Sequence, residues 1–114
     1  MANRHRGEID AVIGGEHRVL VLTLGALAEL EAAFGANDLV DLTERFSRGR
    51  MAARDIVRII GAGLRGAGEH ISDAEVATLA TDGGVHEFVR IAAELIAATF
   101  GAASADGANP TNPA

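Results

Sequence analysis

One change of period, near Thr23, constrains this chain more than any other feature: apolar residues alternate before it and recur at helical spacing after it. A single switch of that kind predicts an α+β fold, an N-terminal two-stranded antiparallel hairpin followed by four to five helices. In the first segment, "EIDAVI", Ile9, Ala11 and Ile13 fall on one face and Glu8, Asp10 and Val12 on the other. The second, "EHRVLVLTL", follows Gly14-Gly15, a pair that accepts the positive φ values of a two-residue turn, so the hairpin is placed at residues 8–24. From Val19 to Leu22 this strand is apolar on both faces. Cover is therefore expected on each side, or along one side together with an oligomer contact, and because a lone hairpin is marginal in water the rest of the chain must supply it.

Helices are predicted over about 25–34, 38–48, 53–66, 73–81 and 85–100, completing a single small domain of residues 1–101. Leu27, Leu30 and Phe34 form the stripe of the first, which stops at Gly35. Asn37 is the expected N-cap of the second, Leu39, Leu42 and Phe46 its buried stripe, and Gly49 its stop. Ser72 and Glu75 stand at capping-box spacing and open the fourth. The last places Val85, Phe88, Val89, Ala92, Leu95, Ile96 and Thr99 on one face, with Glu87, Arg90 and Glu94 opposite. Residues 102–114 lose all periodicity and are expected to form a disordered tail.

"IVRIIGAGLRGAG", residues 56–68, spells Gly61-x-Gly63-x-x-Gly66 after branched apolar residues, as a dinucleotide-binding turn does. That chemistry needs a strand before the glycines, a helix opened by them and an acidic residue about 20 positions on. Here Ile56, Ile59, Ile60, Gly63 and Leu64 trace one helical face straight through the glycines, and a buried strand would have to hide Arg58. The expected structure is a helix in which Gly63, on the apolar face, permits close approach, each interior glycine costing ~1 kcal/mol relative to alanine. Gly66 and Gly68 are expected to end it. No cofactor is predicted.

Other chemistry is sparse. The chain has no cysteine, and His5, His17, His70 and His86 lack ligand spacing, so neither a metal site nor a catalytic residue is predicted. Ser47, Ser72 and Ser104 have no nucleophile-elbow setting. A net charge of -6 opposes general nucleic-acid binding, which requires a Lys/Arg excess. No apolar run approaches the ~20 residues of a membrane span, and the N-terminus does not read as a secretory signal, so the expected location is the cytoplasm. Against the acidic background, Arg45, Arg48, Arg50, Arg54, Arg58 and Arg65 give the middle of the chain a basic bias. Arg54, Arg58 and Arg65 share a helical stripe, either a solvated face or a docking surface for an acidic partner.

At "LTLGALAELEAAFG" (22–35) and "ARDIVRIIGAGLRGAG" (53–68) the chain resembles the gene transfer agent family, small proteins of the tail-gene region of phage-like particles of alphaproteobacteria. The resemblance extends to the preceding hairpin and to "SDAEV" and "AATFG", covering residues 7–101. One departure is Ala52, where the family pattern tends to have a capping Ser or Thr. The resemblance implies a non-enzymatic protein of tail morphogenesis, made in the cytoplasm of the host bacterium during particle assembly. Members are described as tail-tube-related or as similar to tail assembly chaperones, which bind the tape-measure protein. A ring-forming tube protein would be rich in strands, and residues 25–100 have almost no period-2 pattern, so the chaperone is the first expectation and a structural tube-related component the alternative. The expected partner is a tail protein, the tape measure above all, with no membrane or nucleic acid, and with room for a homo-oligomer. Its expected contacts are Arg54, Arg58 and Arg65 with the apolar anchors Phe88, Leu95 and Phe100 of the last helix.

Overall fold

The structure, a computed structural model, describes residues 2–47 and 51–101. Its elements are β1 (Glu8–Ile13), β2 (Glu16–Val21), α1 (Leu24–Phe34), α2 (Leu39–Ser47), α3 (Ala53–Gly66), α4 (Asp73–Val76) and α5 (Gly84–Ile96). A 3-10 turn at Arg4–Arg6 precedes them and a π-helical turn at Ala97–Gly101 follows. The fold is thus the α+β arrangement that the change of period predicts. The expected stop at Gly49 and the expected tail 102–114 lie outside the described residues.

β1 and β2 pair antiparallel from Ile13 opposite Glu16 to Glu8 opposite Val21, and the turn between them has φ of 65° at Gly14 and 81° at Gly15. Both values are left-handed, which glycine adopts without a Cβ penalty. Ile9, Ala11, Ile13 and Leu20 are buried on the inner face. The predicted cover comes to one side only: on the outer face Val12 is 45% exposed and Val19 and Val21 are half-buried. The turn is tied down by the Gly14 N–H, which donates to the Ala80 carbonyl at 2.7 Å, and by the Thr81 hydroxyl, which donates to the Val12 carbonyl at 2.9 Å.

α3 is the central element, packed against β2, α1, α4 and α5. Ile56, Ile59, Ile60, Ala62 and Leu64 are buried, each large side chain stabilising by ~1.5 to 3 kcal/mol. The glycines lie inside this helix, as the face analysis requires, and explain how closely its neighbours approach. A Cβ on Gly63 would stand 2.6 Å from Leu95 Cδ2 and 3.2 Å from Leu20 Cβ. On Gly66, the last helical residue, it would stand 2.1 Å from the Val21 carbonyl oxygen. Gly63 therefore admits side chains of β2 and α5, while Gly66 admits backbone of β2. Beyond it the Glu69 N–H donates to the Leu64 carbonyl at 3.0 Å and the Gly68 N–H to the Arg65 carbonyl at 3.0 Å, a Schellman stop with Gly68 at φ 100°.

The helices follow the expected chemistry with corrections at α2, α4 and α5. α2 is capped by Asp38, not Asn37: the Asp38 carboxylate accepts from the Asp41 N–H at 2.9 Å, while the Asn37 N–H donates to Asp41 at 3.0 Å. Leu39, first in that helix, is 38% exposed, leaving Leu42 and Phe46 as its buried residues. α4 ends at Val76 rather than near residue 81, because the Thr78 and Leu79 N–H groups bond three residues back and the Thr78 hydroxyl takes the Glu75 carbonyl. Ser72 and Glu75 do form the predicted reciprocal cap, at 3.1 and 2.9 Å. At α3, Ala52 offers no side-chain acceptor, yet the helix begins at Ala53 as predicted because the Asp55 carboxylate accepts from the Ala52 N–H at 2.9 Å.

The third correction concerns α5. Its buried residues are Ile91, Ala92 and Leu95, followed by Ala98 in the π turn, whereas Val85 is 74% and Val89 38% exposed. The segment is apolar over much of its circumference, so a stripe through Phe88, Ile91, Leu95 and Ala98 competes with the one through Val85, Val89 and Ile96. The close approach of α3 at Gly63, directly against Leu95, selects the first.

Candidate functional site

The six residues expected to meet a partner do not form one surface. Leu95 is fully buried against Gly63, so this expected anchor belongs to the core. Phe88 and Phe100 are half-buried and pack against that core. Arg65 is held internally: one guanidinium nitrogen donates to the Ile71 carbonyl and to Asp73, both at 3.0 Å, and the other to Glu29. Burial pulls the guanidinium pKa down, but the bonds to Glu29 and Asp73 and their charges outweigh it and hold the pKa above its usual value. Arg65 thus ties α1, α3 and the start of α4 together.

Arg54 and Arg58 have a different setting. With Arg45 of α2 they line a cleft of about 510 Å³ between the end of α1, α2 and the first turns of α3. Its apolar wall is Phe34 and Phe46, rings edge-to-face with centroids 5.3 Å apart and an interplanar angle of 83°. Arg58 lies 5.7 Å from the centre of the Phe34 ring and donates to the Ala33 carbonyl at 3.2 Å, where the C-terminal end of α1 favours a cation. Arg45 is 3.9 Å from Asp41, one turn earlier. Arg54 is exposed and forms no ion pair among the described residues. Among the described residues the one carboxylate of the cleft, Asp55, is committed to the α3 cap.

The sequence stripe therefore splits. Arg54 and Arg58 open onto a cleft, Arg65 is internal, and Arg45, part of the basic bias but outside the helical stripe, completes the group. What could have drawn Arg45 in is the pair of phenylalanines that end the stripes of α1 and α2, since their contact brings the two helix ends together. Arg48 and Arg50 lie outside the described residues.

The cleft suits acidic side chains carried on an apolar backbone segment: cations for the carboxylates and an aromatic wall for the rest. Among the described residues no three His, Asp or Glu side chains converge to hold a metal ion, and no helix is long and apolar enough to cross a membrane. Against known proteins, a family model described as phage tail tube protein, GTA-gp10, matches residues 6–102. No curated protein and no solved structure matches the chain. The matching description is that of the tube, the alternative named for this chain, rather than of a chaperone.

Proposed function

The chain belongs to the phage tail tube protein family GTA-gp10, and from that premise we propose that it is a non-enzymatic, tube-related structural component of the tail of a gene-transfer-agent or other phage-like particle. The observation that carries this reading is the extent of the match, residues 6–102, which takes in the hairpin and all the helices rather than one motif. On this reading the protein works by contact with other tail proteins. Its docking groups are Arg54 and Arg58 with Arg45, the cations of the cleft.

A second reading, a tail assembly chaperone for the tape measure, is favoured by the architecture: among the described residues there is one two-stranded sheet and five helices. A tube wall built by strand pairing would have one hairpin per copy to work with. A chaperone would instead lay a tape-measure helix along the exposed apolar residues Val85 and Val89 of α5, with the half-buried Phe88 and Phe100 as further apolar surface of the same segment.

Quantitative mass spectrometry of finished tails, with pull-down from assembling cells, separates the two. A structural component is present in finished tails in fixed ratio to the other tube proteins. A chaperone is missing from finished tails and co-purifies with the tape measure before assembly ends. Absence from both fractions refutes both readings.

A further inference from the structure

We infer that the basic cleft receives an acidic hollow on a second copy of this chain, in a head-to-tail contact. The hollow, of about 360 Å³, lies on the outer side of the hairpin against the start of α5 and shares no residue with the cleft. Its charged groups are Asp10, Asp82, Glu87 and Arg90. In the cleft three arginines face one carboxylate; in the hollow three carboxylates face one arginine.

The pairing inside each site sharpens the complementarity. In the hollow, Arg90 is already engaged by Glu87 and by Glu94, the latter at 3.0 Å. Asp82 and Asp10 are both exposed, and among the described residues Asp10 is bonded only to the Ala2 N–H, at 3.3 Å, so these two carboxylates face outward. In the cleft Asp55 is spent on the α3 cap while Arg54 is exposed without an ion-pair partner among the described residues. The uncommitted charges are thus negative in one site and positive in the other.

Apolar surface matches as well. Val12 is 45% exposed beside Asp10 and Asp82 in the hollow, and Phe34 is half-buried in the wall of the cleft. Seating Val12 against Phe34 would remove both from water while Asp10 and Asp82 meet Arg54 and Arg45. Two different patches on one chain make a heterologous contact, so each copy has a free cleft and a free hollow for the next. Such a contact closes into a ring or grows into a stack.

The test uses the purified full-length chain, so its outcome is independent of any role in tails. Sedimentation velocity over a concentration series at low and high salt reads self-association directly. Arg45→Glu with Arg54→Glu, or Asp10→Arg with Asp82→Arg, should each weaken association about tenfold or more, since like charges then face one another. Circular dichroism melts verify that each variant is folded, and Arg54→Glu places an acid at a helix N-terminus, where it is favoured. An equimolar mixture of the two double variants should recover association, because each reversed site now meets its complement on the other chain. The inference is overturned by a wild-type chain that stays monomeric throughout, by reversal variants that associate as wild type does, or by a mixture that fails to recover. A wild-type monomer whose cleft binds a poly-glutamate peptide also overturns it and assigns the cleft to a different acidic partner.

Discussion

The two halves of α3 use small and charged residues to opposite ends. Its C-terminal half carries Gly63 and Gly66, through which α5 and β2 come within contact of the helix backbone, and Gly61, which faces Asp73. Its N-terminal half carries Arg54 and Arg58, which line an open cleft. The half that spells a ligand motif spends its glycines on close packing within the chain, and the half that spells nothing lines the basic cleft. A glycine pattern on a helix records how near its neighbours come. Only the surroundings decide whether the neighbour is a phosphate or another part of the chain.

The largest expected effects break the packed half. Gly66→Ala forces a Cβ to within 2.1 Å of a backbone carbonyl that cannot rotate away. It should destabilise by about 3 kcal/mol and lower the Tm by more than about 10 °C. Gly63→Leu meets Leu95 and Leu20 side chains and should cost about 1 to 3 kcal/mol, as overpacking of a core does. Gly61→Ala gives the contrast within the motif: its Cβ meets the Asp73 carboxylate and, at 3.1 Å, the Arg65 guanidinium, both the far ends of flexible side chains that can swing aside. Alanine also gains about 1 kcal/mol of helix propensity there, so the net change should stay within about 1 kcal/mol. Chemical denaturation of the three variants checks the order. A rise in Tm with NAD or FAD would show that the packed half binds a nucleotide after all.

The same contrast explains what was legible in the sequence. The glycine turn, the extent of α3 and the Ser72 box are set by local chemistry, and each is found where the residues place it; the hairpin is found too, but its second strand ends at Val21, short of the expected residue 24, where α1 begins. The stripe of α5 was not legible, since helical spacing fits two apolar faces and a contact from the distant Gly63 chooses between them. The candidate site was legible only in part. Arg54 and Arg58 stand out as a basic bias, but whether a given arginine is free depends on carboxylates far along the chain, such as Glu29 for Arg65. Arg45, in the same basic bias but off the stripe, joins them at the cleft only once the Phe34 and Phe46 rings meet.

Arginine substitutions sharpen the comparison at smaller amplitude. Arg65→Met removes bonds to Glu29, Asp73 and the Ile71 carbonyl and should destabilise by about 1 to 2 kcal/mol, moderated because both carboxylates retain access to water. Arg54→Met, at an exposed position with no ion-pair partner among the described residues, should change stability by less than about 0.5 kcal/mol. Equal losses in urea unfolding at the two positions would mean that Arg54 is not free, and the division between an internal and an open arginine would fail.

The smallest expected effect concerns an arginine satisfied entirely within its own helix. Arg90 donates to Glu87 three residues before it and to Glu94 four residues after it, all on the exposed side of α5. The hydrogen bond from Arg90 holds the Glu87 carboxyl below its ordinary pKa, outweighing an opposing desolvation, with the arginine charge adding in the lowering direction. A carboxyl whose folded pKa is depressed stabilises the fold above its unfolded value, and that contribution is lost as the pH falls through the depressed folded value. Glu87→Gln should therefore leave a slightly less stable protein at neutral pH whose Tm converges on that of wild type below the carboxylate range. Added salt should shrink the difference, because the pair faces water and is screened. Arg54→Met should produce no such acid-side convergence, since no carboxylate among the described residues depends on it. If both variants show the same pH profile, the Glu87–Arg90 bond is as loosely held as Arg54 itself, and an arginine with partners in its own helix differs in nothing measurable from one left open to a partner.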